Sequence, residues 1–101
     1  MRISSVSRPN YFEAIIQLRP KNKKLIDYAV KQILNREDVF ISKIVEEDFG
    51  IDIYISSQRY ARALGKKLTN AFKGKIVTSR AIYGPKLGKT RYRVTILFKM
   101  E

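Results

Sequence analysis

The sequence contains no cysteine and no histidine. Without cysteine there is no disulfide framework, no thiolate-bound zinc and no thiol nucleophile. Without histidine the commonest general base and the commonest metal ligand are missing. No apolar run exceeds a few residues, far short of the roughly 20 that a membrane-spanning helix needs. The first ten residues lack the apolar stretch of a signal peptide, so the cytoplasm is the expected compartment and no membrane partner is expected.

Acidic side chains are also missing, from half of the chain. Residues 1–52 carry nine basic and eight acidic side chains, whereas residues 53–100 carry twelve basic ones and no acid. With Glu101 the total is 21 Lys and Arg against 9 Asp and Glu, a net charge of +12 in 101 residues. Solubility is served by either sign and gives no reason to exclude acids from one half. A surplus so placed points to a directed basic surface and a polyanionic partner, most often nucleic acid.

Length sets the frame for that surface. Domains usually hold roughly 100–150 residues, so residues 1–101 are expected to form a single RNA-binding domain, with 1–9 as an extended lead. A hydrophobic content of 45% supplies one core. Phe12, Ala14, Ile16 and Leu18 alternate with Tyr11, Glu13, Gln17 and Arg19, the period of a half-buried strand. After Pro20, Asn22 is placed to cap a helix in which Leu25, Ile26, Ala29, Val30, Ile33 and Leu34 recur at helical spacing. Asp27 is expected to pair with Lys31 on its wet side, and Asn35 to end it.

Two β-branched segments, 39–46 and 51–56, flank Glu47-Asp48-Phe49-Gly50 and predict a hairpin in which Gly50 takes a positive φ. Ser56 or Ser57 then caps a second helix with Tyr60, Leu64, Leu68, Ala71 and Phe72 as its apolar stripe and Gly74 at C′. Strands at about 75–83 and 89–99, joined by Gly84-Pro85-Lys86-Leu87-Gly88, complete the order β-α-β-β-α-β-β. The fold class expected is α+β: a two-layer sandwich of a mainly antiparallel sheet with both helices on one face.

The binding residues expected from this layout lie on two elements. Arg59, Arg62, Lys66 and Lys73, with Lys67 beside them, form one side of the second helix and can follow a phosphate backbone. Arg59 sits in the first turn, where the helix dipole disfavours a cation, so an anion is expected to bridge it, Arg62 and free amides after Ser56-Ser57. Arg80, Lys86, Lys89, Arg91 and Arg93 lie on or beside the last hairpin, and the guanidinium fork suits oxygen pairs. Tyr11, Tyr54 and Tyr83 offer faces for unpaired bases, although such tyrosines are more often partly buried sheet residues.

Catalytic and cofactor features are not found. Gly88-Lys89-Thr90 resembles the end of a P-loop, but position 83 is Tyr and a strand is expected where a helix is required. Glu46, Glu47 and Asp48 are consecutive and do not converge on a metal. No enzyme, cofactor or metal is expected. Two further readings remain open: a protein-interaction module docking through its outer sheet face, and a small basic DNA-binding protein.

At the level of motifs the chain resembles a known family. Tyr11-Phe12-Glu13 with Gln17-Leu18-Arg19 is similar to the opening of the central domain of archaeal relatives of the large ribosomal subunit export adaptor, a family that carries a nonsense-mediated-decay name. Asp52-Ile53-Tyr54-Ile55-Ser56-Ser57, Ala61-Arg62, Leu64-Gly65-Lys66-Lys67-Leu68, Ser79-Arg80 and Tyr92-Arg93-Val94-Thr95-Ile96-Leu97-Phe98 continue the likeness over roughly 9–99. The resemblance implies a shape like that of a eukaryotic large-subunit ribosomal protein. It also implies non-enzymatic binding to the large subunit, its ribosomal RNA and neighbouring ribosomal proteins. Longer members carry a zinc-binding cysteine-rich segment ahead of this domain; here it is absent, and a stand-alone ribosomal protein, an assembly factor or a fragment are the expected forms.

Overall fold

The first strand, β1 (Ala14–Arg19), buries Ala14, Ile16 and Leu18 and leaves Ile15, Gln17 and Arg19 on the other face. It lies at the centre of the sheet. Asn22 then starts α1 (Lys23–Leu34) by accepting the Leu25 amide on its side chain at 3.1 Å. Asn35 ends α1, and Leu25, Ala29, Val30 and Ile33 form its buried stripe. The computed structural model describes residues 11–86 and 89–101, with the side chains of 82–91 outside the described part, as is the lead 1–10.

The chain continues through β2 (Ile41–Glu47) and β3 (Gly50–Ile55) into α2 (Gln58–Ala71), then closes with β4 (Gly74–Lys86) and β5 (Lys89–Met100). The five strands stand in the order β2-β3-β1-β5-β4, with β1 and β5 parallel and the other neighbours antiparallel. Both helices cover one face, so the two-layer α+β sandwich stands as expected, its sheet mixed by the central parallel pair. Ile53, Ile55, Val94, Ile96 and Phe98 join β1 beneath Tyr60, Ala61, Leu64 and Leu68 of α2, all essentially closed to solvent.

Several local expectations are corrected. Asp27 pairs with Lys23 at 2.8 Å and not with Lys31, since both directions are open at one helical turn. Phe12 does not continue the inward row of β1. The strand begins at Ala14, and Phe12 turns to the outer face, edge-on to Tyr54 at 4.8 Å between centroids. Ala71 is exposed, and Leu34 is 46% exposed, both at the margins of their helices' apolar stripes.

The two glycine expectations fail for a common reason. Gly50 does not adopt the left-handed conformation; it belongs to β3, where an added Cβ would stand 2.2 Å from the Leu18 carbonyl oxygen and 2.6 Å from the Arg19 side chain. Gly74 is not the C′ residue of α2 but the first residue of β4, where a Cβ would meet the Lys99 carbonyl at 2.5 Å and the Phe98 ring at 2.6 Å. Both are glycine because another part of the sheet occupies the space of a side chain.

Candidate nucleic-acid interface

The geometry of the basic surface begins at the N-terminus of α2. Ser57 is the N-cap, its hydroxyl accepting the Tyr60 amide at 3.0 Å. The Gln58 amide donates to the Glu13 carboxylate at 3.1 Å, and the Tyr11 hydroxyl donates to that carboxylate's other oxygen. The anion expected from outside, bridging free amides here, is therefore replaced by one from the chain itself. Glu13 supplies the negative charge that the helix dipole favours and offsets the presence of Arg59 in the first turn.

Beyond the cap, the outward side of α2 is cationic. Arg59, Arg62, Lys66 and Lys67 are all exposed, and none has an ion-pair partner among the described residues. At 100° per residue, Arg59 and Lys66 point directly outward. Arg62 leans to the side of Gly65, which packs on the sheet, and Lys67 leans to the side of Tyr60, whose hydroxyl donates to the Gln32 carbonyl of α1 at 2.9 Å. Lys73 is corrected: the helix ends at Ala71, and Phe72 is already extended and packs edge-on against Tyr28 at 5.5 Å. Lys73 therefore lies beyond the row, where its carbonyl accepts the Glu101 amide.

The missing side chain of Gly65 lets α2 approach the last hairpin closely. A Cβ there would stand 3.0 Å from Ile76 Cδ1 and 3.2 Å from Ile96 Cγ2. Alongside this contact runs a groove of about 350 Å³ lined by Arg62, Gly65, Lys66, Ile76, Thr78 and Ile96. One wall is helix and the other is β4. Thr78 pairs with Ile96 and Arg80 with Val94, so both face the helix layer, and Arg80 carries the groove's charge further along the strand.

Arg80 is not alone there. Its guanidinium lies 5.3 Å from the centroid of Tyr92, an aromatic ring 43% exposed on the same face. Gln58 Nε2 donates to the Tyr92 carbonyl at 3.3 Å, tying β5 to the start of α2. Strand alternation sets Tyr92 in one row with Val94, Ile96 and Phe98. It does share their face, but it stands at the end of the helix layer and keeps an accessible ring.

The remaining hairpin residues divide. Arg93 is half-buried on the opposite face, its guanidinium 3.8 Å above the Phe12 ring and its Nε donating to the Phe12 carbonyl at 3.3 Å. It holds the chain ahead of β1 and does not join the groove. The side chains of Lys86, Lys89 and Arg91 lie outside the described residues, as do Leu87 and Gly88 altogether. Strand pairing extends beyond the span expected: β4 runs through Gly84 and Pro85 to Lys86, and β5 starts at Lys89. A strand thus follows Gly88, where a P-loop needs a helix.

The matched family agrees with the motif likeness. Residues 11–100 match the family model described as NMD3, second domain. The chain belongs to the NMD3 family. No curated protein matches it. The NMD3 span takes in every strand and helix described above and both walls of the groove. The NMD3 family is linked to export of the large ribosomal subunit and to association with the ribosome.

Apart from Glu13 at the start of α2, the paired acidic side chains of this NMD3 domain lie away from the groove. The ion pairs of the described residues are Arg19–Asp52, Lys21–Glu46, Lys23–Asp27 and Arg36–Asp38, all within the first 52 positions. The Arg36 guanidinium, bonded to Asp38, holds that carboxyl below the usual aspartate range, while burial pushes the Tyr60 hydroxyl above its ordinary value. On the outer sheet face Arg19, partly buried, pairs with the buried Asp52 at 2.8 Å, and Arg19 also lies 4.8 Å from the Phe49 ring centroid.

Of the three candidate stacking tyrosines, Tyr11 and Tyr54 are engaged by other side chains. Tyr54 lies under Lys43 Nζ at 4.5 Å and against Phe12; Tyr11 bonds Glu13 and leans on Phe40; the Tyr83 side chain is outside the described residues. No helix among the described residues is long and apolar enough to cross a membrane.

Proposed function

We propose that this chain binds ribosomal RNA on the large ribosomal subunit in the cytoplasm, as a ribosomal protein or an associated assembly factor, and performs no chemistry. One observation carries the reading: Arg62 and Lys66 line one groove and Arg80 stands two positions beyond its Thr78 wall on the same face, none of the three has an acidic partner among the described residues, and 48 consecutive positions of the chain around them hold no acid. Like charges left together on a surface repel, and a polyanion is the partner that turns that repulsion into attraction. Arg59 and Lys67 extend the same field along α2. Family membership supports the ribosome as the source of the polyanion.

The test is a salt titration of binding to large-subunit RNA. For each phosphate contacted, log K should fall by about 0.7–0.9 per log unit of salt. Replacing Arg62, Lys66 and Arg80 together by Gln should therefore reduce the slope by about 2–3. An unchanged slope would move the interface elsewhere. Tighter binding to duplex DNA than to RNA in direct competition would replace this reading with the DNA-binding one. A large-subunit complex that survives nuclease digestion intact would favour protein docking instead.

A further inference from the structure

We infer that the Arg80–Tyr92 pair is a seat for one unpaired nucleotide, so that the chain prefers RNA with exposed bases over continuous duplex. This rests on the proposed RNA-binding groove and specifies which form of RNA fits it.

The groove between α2 and β4 is lined as far as Thr78; two positions further along the same strand face stands Arg80, with Tyr92 beside it. A large aromatic ring left 43% exposed beside a cationic groove is poorly explained by packing, since Val94, Ile96 and Phe98 on the same face are buried. Arg80 covers part of the ring at 5.3 Å and has no hydrogen-bond or ion-pair partner among the described residues. A guanidinium stacked in this way keeps its in-plane N–H groups available for a phosphate or a base edge. The remaining tyrosine surface is a flat π-face next to it.

That combination of phosphate donors and a stacking platform matches an unstacked base, because in a continuous duplex both faces of every internal base are already covered. The platform is also fixed in place. The Tyr92 backbone belongs to β5, and Gln58 Nε2 of α2 donates to its carbonyl at 3.3 Å. Arg62 and Lys66 would then hold the phosphates on one side of the seated nucleotide.

The experiment uses two RNAs of equal length, a stem-loop with an unpaired loop and a perfectly paired duplex, with 2-aminopurine placed in the loop of the first. Wild type should bind the stem-loop about ten-fold or more tightly than the duplex, within the range one base–aromatic stack supplies, and quench the 2-aminopurine emission. Tyr92→Phe should keep both properties. Tyr92→Leu should lose the preference and the quenching while retaining duplex affinity, its salt slope and its melting temperature. Equal affinity for the two RNAs, or quenching that persists in Tyr92→Leu, would overturn the inference while leaving the basic groove standing. Failure to bind either RNA would overturn both.

Discussion

Glu13 offers a test of how the fold and the basic surface are joined. Its carboxylate accepts the Gln58 amide at 3.1 Å and the Tyr11 hydroxyl, at a half-buried position. Glu13→Gln keeps an acceptor oxygen and removes the charge. A carboxylate at a helix N-terminus contributes about 0.3–1 kcal/mol when exposed and up to about 2 when partly buried, so a loss of about 1 kcal/mol is expected. For a domain of this length that lowers Tm by about 4–8 °C. Glu13→Ala also removes hydrogen bonds to a charged acceptor and should cost about 2–3 kcal/mol in all. RNA affinity should move the other way. A unit charge about 10 Å from a phosphate in water repels it by about 0.4 kcal/mol, so Glu13→Gln should bind RNA about two-fold more tightly at low salt. That gain should shrink as salt screens it. Thermal melts and fluorescence-anisotropy titrations measure the two effects on the same sample. A Glu13→Gln protein that melts within a degree of wild type would refute the role of Glu13 as the charge at the start of α2.

Three other substitutions test separate parts of the structure. Gly50→Ala places a Cβ 2.2 Å from a backbone oxygen of β1, which cannot yield without moving the sheet; a loss of about 2–3 kcal/mol in chemical denaturation is expected, and an unchanged midpoint would contradict the close approach. Asp52→Ala strands the half-buried Arg19 guanidinium and should destabilise by about 1–3 kcal/mol, less than a fully buried pair would; no change would mean that water replaces the carboxylate. Tyr60 has its pKa raised on folding, chiefly by burial, so the folded state keeps a proton that the unfolded chain gives up first. The stabilisation from that proton is complete below the unfolded pKa of about 10 and is lost as pH rises above it. The stability difference between wild type and Tyr60→Phe should therefore shrink between pH 8 and pH 11, and a constant difference would argue against the burial effect.

What the sequence made legible was what neighbouring residues decide among themselves. Alternation along Ala14–Leu18 and Val94–Phe98 set the strand faces, and Asn22 and Ser57 announced helix starts because each cap bonds an amide three residues away. The row Arg59, Arg62, Lys66 and Lys67 was legible for the same reason, since helical period alone turns those side chains outward. Lys73 fell off the row because Phe72 leaves the helix to reach Tyr28, a ring on the other helix. The rest depended on partners far along the chain. Nothing near Glu13 marks it as the carboxylate for an amide 45 positions later, and nothing near Arg93 marks Phe12 as its platform. Glycine was ambiguous in the same way: Gly50 and Gly74 look like turn residues until the strand beside each is known. Tyr92 is the clearest case. Its place in the alternation puts it on the core face, and only the tertiary placement of α2, whose first turn reaches the Tyr92 carbonyl through Gln58, decides that the core ends before reaching it. One wall of the groove was thus readable from a single helix, while the other wall and its aromatic seat exist only because the packing of α2 on the sheet brings residues 58, 80 and 92 to one place.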